Sequence, residues 1–571
     1  MLILKNRFFI CCLVFFATTL FTLRYGSFPE IYFFATDQNL SPIERLLTAP
    51  IHLSDDVMIT FRTGYILNET GIPAFNRIDL AQPSTSYLMP YVISALLKLM
   101  PDNIAIITYV GLGFLSVLIV FLTIITTSKF LINGLILVLA LCLTVTHTAY
   151  SVNGWDHLFQ SALLSIGAAL ILKSKNNPSI YLTAATCLAL GVFARPDGTL
   201  ISLSLLIYSY LINRNRIRVF FSLILPFLIL IFIGLIINFS QFSHFTPTPV
   251  RLKLGNSPSI EYAIVYLLQN GLLSYSAITL VIIFLILYFA QSHLANKRAF
   301  TPVVFGCGLT ILVAAINSDA FHGGRMFWSS ACVMAVLLAR IAPKFLVLRL
   351  EKLKTFVSLG PEYKKKFIFS KKFVKFSTLA FLITIALSIF FHINKSEKFD
   401  RLLVRDNSIN PSGTARIYKI AKWMEKNLNK NDGSIGLFQA GMSYHIPSFE
   451  VADFLGKADE LIAKTPVKWG APGHNKWDID KTLTKWKPQA IIPGTPLNRS
   501  KNEDKQSVID YLPIYGFYYD LMFSKKLAKN FSYCYIKNQK TNEFEDKWGF
   551  FLRSDLVQKY KKDLSCSIHY G

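Results

Sequence analysis

The sequence predicts an α-helical polytopic membrane protein with about eleven transmembrane helices and a C-terminal extracytoplasmic α/β domain. Hydrophobic residues make up 52% of the 571 residues, and the mean hydropathy is +0.42. Apolar runs long enough to cross a bilayer recur through the first two thirds of the chain. Basic residues gather in alternate connections between these runs, which is typical of the cytoplasmic side of a membrane.

Eleven apolar segments are candidate spans, and the shortest of them is 199–212. They are residues 8–24, 104–127, 130–150, 157–173, 179–194, 199–212, 219–239, 272–290, 301–318, 326–343 and 374–393. The first segment is also open to interpretation as a cleaved signal peptide, although no small-residue cleavage site follows it. With a cytoplasmic N-terminus, an odd number of spans puts the region from residue 394 outside the cytoplasm.

The placement of charge decides the topology. Basic clusters lie at Lys173 and Lys175, at 214–218, at Lys297-Arg298 and at 344–375. Positive charge in alternate loops indicates membrane lipids as partners and argues against nucleic acid as the reason for the net charge of +25. An extra span at residues 86–100 would reverse this pattern, so we expect an interfacial helix there.

Two regions follow from this topology. Residues 1–393 form a membrane body with a long first outer loop at 25–103, and residues 394–571 form a soluble domain. In the soluble domain, helical spacing predicts a helix at 415–428. Short apolar runs predict strands at 434–438, 449–454, 490–493 and 531–536. Cys534 and Cys566 lie outside the membrane, where a disulfide is possible, and no cysteine or histidine cluster indicates a metal site.

The first outer loop carries the adjacent carboxylates Asp55 and Asp56, followed by Arg62. Adjacent carboxylates raise each other's pKa, so a pair in a membrane protein is a candidate for acid–base chemistry. In a helix, Asp55, Arg62 and Glu69 would share one face. The structural alternative is a solvated amphipathic helix with a self-neutralising stripe of charge.

Later outer loops add polar residues at the membrane edge. They are Asp156, Arg195, Asp197, Lys253, His322 and Arg325. A guanidinium matches phosphate oxygens in a two-pronged way, so these loops predict a site for an anionic lipid headgroup. The alternatives are a snorkelling arginine at 195, an interfacial arginine at a helix start at 325 and a merely polar interfacial histidine at 322.

Cations and carboxylates around one outer cavity suit transfer from a lipid phosphate. Fixed cations stabilise charge that develops on a leaving phosphate. A carboxylate accepts the proton of an incoming hydroxyl, and a single base without a carboxylate nucleophile predicts inversion at the anomeric carbon. The chain contains no Gly-rich phosphate loop, so nothing in the sequence indicates a nucleotide donor.

Motifs in several loops form an ordered set. They are Asp55-Asp56-Val57-Met58-Ile59-Thr60-Phe61-Arg62 with Gly71-Ile72-Pro73-Ala74-Phe75-Asn76, Asn153-Gly154-Trp155-Asp156, Arg195-Pro196-Asp197, His322-Gly323-Gly324-Arg325, Val451-Ala452-Asp453-Phe454-Leu455-Gly456 with Asp459, and Pro472-Gly473-His474-Asn475-Lys476. In this order they resemble motifs of the GT-C class of polyprenyl-phosphate-sugar-dependent glycosyltransferases, and most closely those of bacterial arabinofuranosyltransferases. The stretch at 79–82 departs from the usual first loop of that family, which concerns acceptor recognition.

The resemblance implies a GT-C-like fold in the bacterial inner membrane, with Asp55 or Asp56 as the base and His474 among the substrate-binding residues. The implied donor is a polyprenyl-phosphate sugar, with D-arabinofuranose expected. The implied acceptor is a type IV pilin or a surface glycan in the periplasm. No cofactor is firmly implied, although a divalent cation between the two aspartates is conceivable because paired carboxylates suit hard cations.

Functions of other classes remain open at this point. A lipid-linked glycan transporter or flippase would place charges mid-span and often shows inverted repeats, whereas here the charges cluster at one face. A polymer-binding membrane protein would use the outer domain as its binding module. A hydrolase or a surface-polysaccharide polymerase would use the same lipid-linked substrates.

Overall fold

The structure is a computed structural model of the chain. It describes residues 32–33, 51–53, 55–128, 137–138, 141, 155–174, 176–254, 297–316, 327–340, 413–438, 440–468, 475–494, 517, 520–521, 524–537 and 549–567. These residues are mostly helical, with a small mixed sheet in the C-terminal part.

The described residues of the predicted first loop form two short strands followed by two helices. Strand β1 (Tyr32–Phe33) pairs antiparallel with β2 (Ile51–His52). Helix α1 (Asp55–Thr70) begins with two carboxylates, which are favourable beside the partial positive charge of a helix N-terminus. Helix α2 (Met89–Leu99) agrees with the helix predicted at 86–100.

Eight further helices make up the described part of the helical body. They are α3 (Asp102–Thr127), α4 (Trp155–Lys173), α5 (Pro178–Ala194), α6 (Gly198–Ile212), α7 (Arg216–Phe242), α8 (Thr248–Leu254), α9 (Lys297–Ile316) and α10 (Trp328–Arg340). Helix α5 begins at Pro178, and the Asn177 side chain caps it by accepting the N–H of Ser179 at 3.0 Å. Helix α7 has a π-helical turn at Phe220–Ile224 just before Pro226, a residue that lacks a backbone N–H.

Among the described residues, two helices are long and apolar enough to cross a membrane, α3 and α7. Helix α7 exposes large apolar side chains, such as Phe221 and Phe232 at 62% and 64% exposure. Five shorter apolar helices accompany them. The predicted spans at 8–24, 130–150, 272–290 and 374–393 lie wholly or mostly outside the described residues, so the count of eleven stays a prediction.

The C-terminal part forms a six-stranded sheet in the order β4-β3-β5-β7-β6-β8. The strands are β3 (Ile435–Leu437), β4 (Val451–Asp453), β5 (Ala490–Ile492), β6 (Phe531–Ile536), β7 (Phe550–Arg553) and β8 (Leu564–Ser567). Strand β3 pairs in parallel with β4 and β5, and the other pairs are antiparallel. Strands β3 to β6 coincide with the four predicted strands, whereas β7 and β8 are not among the predicted ones.

Helices and a disulfide complete this α/β domain. The helices are α11 (Gly413–Asn427), α12 (Glu460–Ala463), α13 (Ile479–Trp486), α14 (Lys525–Asn530) and α15 (Ser554–Val557). Helix α11 coincides with the predicted helix at 415–428. Cys534 and Cys566 are direct partners across β6 and β8 and form a disulfide.

Helix α1 lies between the helical body and the α/β domain. Ile59 packs in the same apolar cluster as Met442 and Phe449 of the domain. Phe61 packs edge-on against Tyr109 of α3 and against Tyr444 of the domain. Burial of apolar side chains on both sides of one helix stabilises the contact between the two parts of the chain.

Arg62 is predicted to bind substrate, but the structure places its side chain inside the protein. Its side chain is fully buried and donates hydrogen bonds to the carbonyl oxygens of Phe75, Ser443, Pro447 and Phe449 at 2.6–3.4 Å. Burial lowers the pKa of Arg62 to about 10, so the guanidinium stays charged at neutral pH. Because its donors face backbone carbonyls, Arg62 joins the first loop to the α/β domain and is not available to a substrate.

Replacement of Arg62 should therefore weaken the whole junction. We expect Arg62→Met to lower the free energy of unfolding by roughly 3 kcal/mol or more, because several buried carbonyl oxygens lose their donors. Arg62→Lys should rescue little, since one ammonium group cannot span the separate carbonyls. Denaturant unfolding of the purified protein measures both. The control is Arg77→Lys, a half-buried arginine at the same junction. Equal losses in Arg62→Lys and Arg77→Lys would contradict this role.

Candidate functional site

The carboxylates of Asp55 and Asp56 face the α/β domain at the N-terminus of α1. The N–H of Gly441 donates to Asp55 Oδ1 at 2.6 Å. Lys457 Nζ lies 3.4 Å from Asp55 Oδ2 and 3.2 Å from Asp56 Oδ1. The two carboxylate side chains remain 24% and 31% exposed, so the pair is partly open to solvent.

Gly441 permits this close approach. It lies in the 3₁₀-helix Ala440–His445, just beyond the end of β3. A Cβ at this position would lie 2.5 Å from the backbone oxygen of Asp55 and 2.9 Å from its Oδ1. Only a residue without a side chain allows the backbone N–H to reach the carboxylate without displacing α1.

The surroundings affect the protonation of Asp55 in opposite directions. Burial raises the pKa of Asp55, and the neighbouring charge of Asp56 raises it further. The charge of Lys457 and the N–H of Gly441 oppose this rise. Burial lowers the pKa of Lys457, but the charges of Asp56 and Asp55 outweigh that effect, so its pKa is raised overall. Lys457 is therefore charged at neutral pH.

A second cluster forms at the turn between α5 and α6. Arg195 donates to Asp156 Oδ2 at 2.8 Å and to Asp197 Oδ1 at 3.3 Å. Gln160 Nε2 donates at 2.9 Å both to the Arg195 carbonyl and to Asp197 Oδ1. Burial lowers the pKa of Arg195, but the charges of Asp156 and Asp197 outweigh it and raise the pKa. The guanidinium is thus held in a fixed place as a permanent cation.

Arg195 lines a cavity of about 270 Å³. Its lining consists of Thr85, Arg195, Pro196, Asp197, Leu200, Pro249, Val250, Lys253, Thr310, Val313 and Ala314. Two cations, one carboxylate and two hydroxyl groups therefore share the cavity with an apolar wall from α6, α8 and α9. Such a mixture suits a ligand that has both an anionic group and an apolar part.

Lys253 reaches the cavity because the α/β domain holds helix α8. Arg251 of α8 donates to both carboxylate oxygens of Glu460, with Nη1 at 2.7 Å from Oε2. The hydroxyl of Thr248 donates to Glu460 Oε1 at 3.2 Å. At its own N-terminus, α8 is fixed by the Thr248 N–H, which donates to the Gln82 carbonyl at 3.0 Å.

The cavity and the carboxylate pair are linked through the first loop. Thr60, one turn after Asp56, donates to the Asp56 carbonyl at 3.1 Å, and its hydroxyl lies 3.4 Å from that of Ser84. The next residue, Thr85, accepts a hydrogen bond from Arg195 at 3.3 Å. Residues 84–85 thus connect the N-terminal turn of α1 to the wall of the cavity.

The structure brings the predicted residues together in two groups. Asp55 and Asp56 form one, while Asp156, Arg195, Asp197 and Lys253 form the other. Arg62 belongs to neither group, for the reason given above. The remaining predicted positions, His322, Arg325 and His474, lie outside the described residues.

Sequence reasoning missed the contributions of Gly441, Lys457, Gln160 and Glu460. Lys457 follows directly on the Asp453–Gly456 motif, which had been noted only as part of a resemblance. A signal was available, because residues just after parallel strands gather at one edge of the sheet. Glu460 and Gln160 carried no such local signal.

Comparisons of the sequence with protein-family models and with curated proteins find no match.

Two buried histidines join the segment just before the carboxylate pair to the 3₁₀-helix of the α/β domain. His52 Nδ1 is 3.0 Å from His445 Nε2. Burial lowers the pKa of His52 from 6.5 to about 3, and burial, His52 and Lys422 lower that of His445. The rings of Tyr418 and Tyr444 pack edge-on against His445. Both imidazoles are therefore neutral at pH 7 and join β2 to the 3₁₀-helix that also carries Gly441.

This pair predicts a loss of stability in acid. Below about pH 6.5 the unfolded histidines bind protons that the folded ones do not, and for His52 this holds down to about pH 3. The free energy of unfolding is therefore highest above pH 6.5. It decreases as the pH is lowered, by up to about 1.4 kcal/mol per pH unit for each histidine. Unfolding at pH 7.5 and 5.5 measures it. The double variant His52→Gln, His445→Gln separates the effect of these histidines from that of other titrating residues. If the double variant and the wild type lose the same free energy of unfolding between pH 7.5 and pH 5.5, the assignment is contradicted.

Proposed function

We propose that this protein is a membrane glycosyltransferase that moves a sugar from a polyprenyl-phosphate donor to a hydroxyl group of a periplasmic acceptor. The observation that carries the proposal is the cavity lined by Arg195, Lys253 and an apolar wall, linked through residues 84–85 to a carboxylate pair. The proposed location is the bacterial inner membrane, with the α/β domain on the periplasmic side. The two long apolar helices support association with a membrane.

The donor headgroup would occupy the cavity. Its volume of about 270 Å³ is near the lower end of the range for small-molecule sites, roughly 300 Å³, so it fits a headgroup and not a whole lipid. Arg195 and Lys253 would hold the phosphate, and Leu200, Val250 and Val313 would contact the first part of the lipid chain. Asp156 and Asp197 would act by orienting Arg195.

In the proposed reaction, the oxygen of the acceptor hydroxyl attacks the anomeric carbon of the sugar. The bond between that carbon and the phosphate oxygen breaks, and the electron pair leaves with polyprenyl phosphate. Asp55 or Asp56 accepts the hydroxyl proton and later releases it to solvent. A single attack of this kind inverts the anomeric centre. The expected sugar is D-arabinofuranose, and the expected acceptors are type IV pilin and surface glycan.

The carboxylate pair should be essential for transfer. We expect Asp55→Asn or Asp56→Asn to lower the rate about 10²- to 10⁴-fold, because a general base contributes that much to proton transfer. Transfer from synthetic polyprenyl-phosphoryl arabinose to pilin and to lipopolysaccharide measures the rate. Glu69→Gln, at the other end of α1 and in an ion pair with Arg77, is the matched control. Wild-type rates in both single variants and in the double variant would refute the site.

The cations of the cavity should act on the donor. Lys253→Met and Arg195→Lys should each raise the donor KM about tenfold, equivalent to about 1.4 kcal/mol, and change the acceptor KM little. Lys98→Met, an exposed lysine on α2, is the control. An unchanged donor KM in both variants would contradict the assignment of the donor phosphate to this cavity. Donor that is carried across a vesicle membrane without sugar transfer would instead favour a transporter.

A further inference from the structure

Lys457 lies between two carboxylates of a helix more than 400 residues away in the sequence. Its Nζ is 3.2 Å from Asp56 Oδ1 and 3.4 Å from Asp55 Oδ2, across separations of 401 and 402 residues. The lysine side chain is only 13% exposed, whereas both carboxylates are more open. The cation thus approaches the pair from the protein side and leaves the solvent side to the carboxylates.

The loop that carries Lys457 is held rigidly. Asp453, at the end of β4, accepts the N–H groups of Leu455 at 3.0 Å and Ala458 at 2.6 Å. Gly456 has a φ of +74°, and a Cβ there would lie 2.9 Å from the Ala463 nitrogen. Lys457 therefore occupies a position that its own loop fixes, which a flexible surface lysine does not.

The parallel pairing of two strands brings Gly441 and Lys457 to one edge of the sheet. Strand β3 pairs in parallel with β4, so the segments that follow these strands leave the sheet at the same edge. Gly441 after β3 and Lys457 after β4 both contact the N-terminal turn of α1 there. The two residues therefore hold a part of the chain that is distant in sequence.

We propose that Lys457 is the positioning residue of the carboxylate pair, which it keeps ionised and aligned, so that the α/β domain completes the site on α1. The proposal rests on the proposed function, because it gives the pair its role as a base. Without a cation between them, two adjacent carboxylates repel each other and bind a proton up to a higher pH. A bridging divalent cation and the ammonium group would compete for the same place, so Lys457 takes the part that such a cation would have.

The charged groups around the pair make the sign of the effect clear. In the described part of the chain, Lys457 faces both carboxylates and also interacts electrostatically with Asp453 at the end of β4. The 3₁₀-helix contributes the Gly441 N–H and no charge at this point. Loss of Lys457 removes a cation and leaves the carboxylates, so their proton affinity rises.

The first test reads carboxyl protonation without any assay of transfer. A hydrophobic carbodiimide labels protonated carboxyl groups, and mass spectrometry of the peptide with Asp55 and Asp56 gives labelling against pH. In Lys457→Met we expect the midpoint to move up by about one pH unit or more, the size expected for a lost opposite charge at this distance. Lys457→Arg should keep the wild-type midpoint. The control Lys481→Met changes an exposed lysine on α13.

The second test uses the pH profile of transfer. In Lys457→Met the acidic limb of kcat/KM should move to higher pH by the same amount, and Lys457→Arg should restore it. Thermal unfolding of each variant identifies those that fail to fold, and Lys457→Gln then replaces Lys457→Met. A labelling midpoint that does not move in either folded variant would overturn the proposal even if the protein transfers sugar. A shifted midpoint in a protein without transfer activity would keep this role of Lys457 and refute the proposed function alone.

Discussion

The buried guanidinium of Arg62 binds a nearby backbone carbonyl, that of Phe75, and three carbonyls that lie nearly 400 residues from Arg62 in the sequence. A charged group without exposed surface is stable only when its hydrogen-bonding capacity is filled, and here the α/β domain supplies most of the acceptors. The apolar faces of α1 then pack against the domain on one side and against α3 on the other. The placement of the Asp55 and Asp56 carboxylates against Gly441 and Lys457 depends on this junction.

With α1 fixed in this way, its first turn points at the carboxyl ends of the parallel strands. Asp55 meets the Gly441 N–H, and both aspartates meet Lys457. The contact between His52 of β2 and His445 of the same 3₁₀-helix involves residues that neighbour Asp55 and Gly441 in the sequence. The site is therefore formed jointly by the helical body and the α/β domain, and neither part contains it alone.

The same domain also fixes the second group of residues. Glu460 holds Arg251, and this ion pair anchors the short helix that carries Lys253 into the cavity. Arg195 needs no help from the domain, because Asp156 on α4 and Asp197 in the turn before α6 hold it directly. One part of the cavity is thus built by local contacts of the helical body, and the other depends on docking of the domain.

The sequence by itself determined the features that follow from short-range order. Long apolar runs marked helices, short apolar runs marked strands β3 to β6, and the adjacent Asp55 and Asp56 marked a carboxylate pair. Arg195 and Asp197 were found together because they are two residues apart. Only the tertiary structure decided that Arg62 faces carbonyls, and that Lys457 stands between the aspartates. Those roles depend on which surfaces of distant segments meet, and local periodicity carries no information about contacts 400 residues apart.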